Sequence, residues 1–140
     1  MDVKPIVLRL TEQVPSVRRI GGAADLDAAL RSTVSPPSLY VMPMGDRAQK
    51  VGDDAFCGFG AGDVITFAVL IVLRQLRDAA GEGALEELPA IRREVRKALS
   101  GWQPNLRDDP VRFVKGQLVM FPGDGTMWWA DEFSYVGLPI

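Results

Sequence analysis

The run VITFAVLIVL, Val64 to Leu73, is the most hydrophobic stretch of the chain and limits how the rest can be arranged. It falls far short of the roughly 20 apolar residues that a membrane-spanning helix needs. β-Branched and aromatic side chains dominate it, which suits a strand covered on both faces. The run therefore predicts a central strand and no membrane partner. In front of it lies GDRAQKVGDDAFCGFGAGD, Gly45 to Asp63, with five glycines in nineteen residues and no sustained apolar period. That stretch reads as a loop longer than connections in compact domains usually are. It could serve as an arm that orders on a partner.

The flanking segments supply the other elements. In DVKPIVLRLTEQV, Ile6, Val7, Leu10 and Val14 make one apolar stripe of a helix, with Pro5 suited to its first turn and Pro15 ending it. SVRRIGG reads as a short strand and AADLDAALRS as a short helix with Leu26, Ala29 and Leu30 on one side. A strand follows from Ser38 to Met42, closed by Pro43 because proline gives no ladder donor. From Ala84 to Leu99 the residues Leu85, Leu88, Ile91, Val95 and Leu99 recur at helical spacing. Pro89 inside that pattern predicts a true start near Glu86 or Glu87, or a kink. Gly101 fits the cap. VRFVKGQLVMF and TMWWADEFSYV, joined by PGDG, read as a hairpin. The expected fold is α+β, one domain over residues 1–140, with a mostly antiparallel sheet of four to five strands and helices packed on it.

Composition removes most chemistry. With 16 basic and 18 acidic residues the net charge of -2 gives no bulk attraction to nucleic acid or an anionic membrane. Histidine is absent, so there is no serine–histidine or cysteine–histidine pair and no imidazole metal ligand. Cys57 has no internal disulfide partner, and the basic residue nearest to it in sequence, Lys50, is seven positions away, leaving no evident thiolate stabiliser. The start MDVK lacks a signal-peptide core, so the expectation is a soluble protein made in the cytosol. GFGAG, Gly58 to Gly62, resembles half a phosphate loop, but a strand follows where such loops open a helix. Asp53-Asp54 and Asp108-Asp109 read as solvated turns. Asp131 and Glu132 fall on opposite faces of a strand and cannot work as a pair on one substrate. No catalytic residue, metal or cofactor is expected, and the chain reads as something other than an enzyme.

GTMWWADEF, Gly125 to Phe133, holds the candidates for contact instead. Strand alternation separates Trp128 from Trp129, so one faces the core. The other is either an outward anchor for a partner or lies beneath a helix of its own chain. Phe133 and Tyr135 extend this candidate surface, and Asp46, Arg47, Lys50, Phe56 and Phe59 are the candidates in the long loop.

RRIGGAADLDAAL, SPPSLYVMPM, LRDAAGEGALEELPAIRREVRKALSGWQP and MWWADEFSYV together resemble the tail terminator, or tail completion, proteins of long-tailed bacteriophages. The resemblance runs from about Arg18 to Val136; the loop Asp46 to Phe59 and the tail Gly137 to Ile140 do not carry it. It implies a virion protein assembled in the host cytoplasm, in a hexameric ring on the last ring of the tail tube. Such a ring stops tube polymerisation and presents a docking surface to the head connector, with DNA only passing through its lumen. A neighbouring head–tail joining protein is the alternative, and a carboxylate-dependent enzyme or an adaptor unrelated to viruses a more distant one.

Overall fold

The structure is a computed structural model of the chain and describes residues 1–31, 36–49, 62–74, 82–123 and 125–137. Its elements run α1 (Lys4–Gln13), β1 (Arg19–Gly21), α2 (Ala23–Leu30), β2 (Ser38–Ala48), β3 (Asp63–Arg74), α3 (Glu82–Leu99), β4 (Arg112–Met120) and β5 (Thr126–Gly137). The strands form one sheet in the order β1-β2-β3-β5-β4. Among the described strands β1 and β2 are parallel, joined through α2, and the other three pairings are antiparallel. The α+β layout read from the sequence is the one observed.

The Val64–Leu73 run lies within β3, which pairs with β2 on one side and along its whole length with β5 on the other. Its alternate residues face two different cores. Phe67, Val69, Ile71 and Leu73 join Leu39 and Val41 of β2 and Met127, Phe133 and Tyr135 of β5 beneath α1 and α3. Those helices contribute Ile6, Leu10, Ile91, Val95 and Leu99, all buried. On the opposite face Val72, Tyr40 and Trp128 form a smaller cluster with Leu26 and Ala29 of α2. A strand that buries side chains on both faces cannot show polar alternation, which is why the run is almost continuously apolar.

Three boundaries differ from the sequence reading. β2 continues through Pro43 to Ala48 rather than closing at Met42. The Arg18 N–H donates to the Pro37 carbonyl at 2.8 Å, so odd-numbered residues of this part of β2 turn their backbone groups toward β1, away from β3. Pro43 shares that orientation, so its missing N–H takes no bond from the β2–β3 ladder, and a bulge lies directly after it, between Pro43 and Gly45. The predicted loop gives up its first residues, including Asp46 and Arg47, to β2 and its last, Asp63, to β3, and its positions 50–61 lie outside the described residues. Finally, α3 starts at Glu82, so Pro89 sits in the helix interior instead of its first turn. Gly101 has the positive φ, 82°, that the cap reading anticipated.

Gly62, the last glycine of GFGAG, has a packing role. A Cβ at this position would run into the backbone carbonyl of Gly137. Gly62→Ala should therefore lower the unfolding free energy by about 1–3 kcal/mol, since the neighbour is rigid backbone. Urea denaturation checks this, and an unchanged midpoint would show that the close approach is unimportant. The rest of the motif and Cys57 lie outside the described residues. Among the described residues no helix is long and apolar enough to cross a membrane.

Candidate functional site

Strand alternation works as expected along β5, but both faces of the strand are covered near its start. Trp128 is 3% exposed beneath α2, and its indole N–H donates to Thr126 Oγ1 at 3.0 Å. Trp129 points the other way and is partly buried, with the Arg92 guanidinium of α3 4.7 Å from its ring centroid. Neither tryptophan is a free outward anchor, because each lies beneath a helix or helix side chain of its own chain. Phe133 and Tyr135 are also interior. Phe133 stacks on Phe67 with centroids 5.6 Å apart, and Tyr135 meets the same ring edge-on. Burial first, then the nearby Asp108 and Asp2 carboxylates, hold the Tyr135 phenol above its ordinary pKa of 10.0. It is neutral under physiological conditions.

The two adjacent carboxylates have separate roles. Asp131 is fully buried on the α3 side, where it accepts hydrogen bonds from Arg92 Nε at 3.1 and 3.2 Å and from the Trp129 indole N–H at 3.0 Å. Arg92 Nη2 completes the pairing at 3.0 Å from Asp131 Oδ1. Gly116 of β4 lies opposite Asp131 in the ladder, and a Cβ there would come within 2.5 Å of both Arg92 Nη2 and Asp131 Oδ1. The next helix turn adds Arg96, 4.0 Å from the centroid of Phe113 on β4. Together these contacts clamp α3 onto the β4–β5 hairpin. Glu132 emerges on the opposite face, with Lys115 Nζ 3.8 Å away. With Lys115 61% exposed, a pair at that distance is open to solvent on the lysine side and contributes little to stability. The carboxylates therefore do not converge on a common reacting centre. Among the described residues no group of three or more acids or cysteines is placed to hold a metal.

What remains exposed is the half of the sheet that α2 leaves uncovered, together with its two edges. Met42, Met44, Leu70, Val119 and Ala130 line a shallow trough there, with Lys115 and Glu132 among its polar residues. β4 carries a run of exposed apolar residues: Val114, Leu118, Val119 and Met120, followed just beyond the strand by Phe121, are 40–52% exposed. Asp46 and Arg47 are exposed on β2, whereas Lys50, Phe56 and Phe59 lie outside the described residues. The sequence candidates are thus split among the core, one sheet edge and a segment that is not described. The β4 surface was missed because the hairpin reading named contact candidates only on its second strand. Its clue is that Leu118, Val119, Met120 and Phe121 run consecutively, so alternation cannot bury them all on one face.

Comparison with known proteins adds a family. The family model described as phage tail terminator protein matches residues 1–136. No curated protein matches the chain. Among solved structures, a chain from the "Virion of native gene transfer agent (GTA) particle" aligns with a TM-score of 0.51 at 16% sequence identity, covering 93% of this chain and 84% of that one. At that identity the likeness is one of fold.

Proposed function

The chain belongs to the phage tail terminator family, and from that membership we propose that it forms a ring on the head-proximal end of the tail tube. In this reading the ring stops tube polymerisation and presents its upper surface to the head connector. Six copies, as the sequence resemblance implies, assemble in the host cytoplasm while DNA passes through the lumen. That the protein is a structural component of a phage tail follows from the family itself.

The observation that carries this reading is a match running through residues 1–136, which spans every described helix and nearly all of the described sheet. Physical features support it. A ring of identical subunits needs two different surfaces on each copy, meeting head to tail. The sheet ends in two unlike edges, and one of them, β4, exposes a row of large apolar side chains. The hairpin from Val111 to Val136 accordingly supplies one side of the ring contact through β4, with the buried β5 aromatics supporting it from within. Termination further requires that the lower face imitate an incoming tube ring while the upper face rejects one.

Electron microscopy of lysates from a virus with a stop codon in this gene tests the proposal. Overlong tubes without heads are the expected result. Tails of normal length that fail to join filled heads would transfer the protein to the neighbouring joining role. Unaltered particles would overturn both.

A further inference from the structure

The two faces of the sheet are covered unequally. On the side of α1 and α3 the β5 residues Asp131, Phe133 and Tyr135 are buried, whereas Ala130, Glu132, Ser134 and Val136, which alternate with them, all remain partly exposed. On that second face α2, eight residues long, shields only the end where Tyr40, Val72 and Trp128 lie. The rest is concave. The trough lined by Met42, Leu70, Val119 and Ala130 adjoins a hollow lined by Arg47, Val64 and Thr66, and the two share Met44 and Glu132.

Dimensions and lining select the occupant. Val64 to Leu70 is six steps along β3, about 20 Å at roughly 3.3 Å per step. A helix of about 13 residues has that length. The flanking strands β2 and β4 stand three spacings apart in the sheet, about 14 Å, and a helix with its side chains is about 10–12 Å across. The floor between them is apolar, and Met42 and Met44 can adapt to an incoming side chain. The charges around it are one-sided. Arg112 lies opposite Ser134 in the ladder, so it shares this face with Lys115 and Arg47. Glu132 answers Lys115 at 3.8 Å, but Arg47 and Arg112 make no ion pair among the described residues. Asp46 borders the hollow, yet its register opposite Ile65 turns it toward the α1 side of the sheet. No aromatic ring of the described residues lines either hollow, so nucleic-acid bases have nothing to stack on. An added strand would use the backbone of an edge and not a face of side chains.

We infer that this face receives an amphipathic helix of another virion protein, with an apolar stripe that fills the trough and flanking carboxylates that meet Arg47 and Arg112. α2 covers the neighbouring part of the same face with Leu26 and Ala29. The incoming helix thus completes a layer that the chain itself only begins, as the opposite face is completed by α1 and α3. This docking rests on the protein's place in the tail and not on ring closure, so failure of the ring reading would leave it standing.

A photo-cross-linking amino acid in place of Met44, 59% exposed beside both hollows, tests it in the virus-encoded protein. Adducts from purified particles are mapped by mass spectrometry. They are expected on a segment of another protein that has apolar residues at helical spacing and Asp or Glu beside them. Adducts to another copy of this chain or to a basic segment would overturn the inference, as would their absence from particles that carry the substituted protein. Arg47→Glu combined with Arg112→Glu supplies a second readout. Both residues are exposed, so the urea midpoint should stay unchanged while adduct yield per subunit falls about tenfold, as expected for like charges brought together. Arg93→Glu, exposed on α3 across the sheet, should leave the yield unaltered. A yield that survives the double substitution, or that falls equally with Arg93→Glu, would overturn the assignment of an acidic partner.

Discussion

Asp131→Ala should lower the unfolding free energy by about 3–5 kcal/mol, the usual cost of removing one partner of a buried ion pair. The carboxylate is fully buried and serves three donor groups, Arg92 Nε, Arg92 Nη2 and the Trp129 indole N–H. Alanine would leave all three without it. Arg92 retains 27% side-chain exposure and can turn partly toward water, which places the expected loss nearer the lower bound. Asp131→Asn should cost less, since an amide oxygen can still accept from the indole. Glu132→Ala is the control: its contact with Lys115 is longer and its partner is 61% exposed, so it is worth about 0–1 kcal/mol. Urea denaturation of the three variants decides the matter. If Asp131→Ala costs no more than Glu132→Ala, the clamp between α3 and the hairpin is not a significant source of stability.

Phe67→Ala should cost a similar amount, about 3–5 kcal/mol, for a different reason. Phe67 is fully buried at the middle of the central strand, stacked on Phe133 and edge-on to Tyr135. Its neighbours belong to strands paired on both sides, so the cavity cannot close by a small backbone shift. Phe67→Leu fills much of that volume and should recover more than half of the loss. A midpoint for Phe67→Ala close to that of the parent protein would mean that this core relaxes freely, contrary to its packing.

The two residues also show what could be read before the structure was known. Phe67 belongs to a run whose composition and length leave little choice but a doubly covered strand, so the position of β3 and the α+β class were legible. Asp131 was legible only as one member of a face-alternating pair. Its partner Arg92 lies 39 residues earlier on another element, and no local pattern links them. Pro43 misled because strand membership depends on which edge its missing donor faces, a property of the neighbouring strand β1. The tryptophans were legible in part: alternation gave their opposite directions, but whether each direction met solvent, left open by the sequence, depended on α2 and on Arg92. Exposed apolar residues on β4 escaped notice because hydrophobicity signals burial equally well within a chain and between chains.

The asymmetry between β3 and β4 has a dynamic consequence. Among the described residues, β3 is held by ladders on both sides, whereas β4 pairs with β5 alone. Amides of β3 should therefore exchange with solvent deuterium only through global opening, while those on the free side of β4 exchange through local fluctuations. Contacts made at that margin can form, break and re-form without disturbing the interior. A subunit arriving in a poor orientation could then correct its seating while remaining folded.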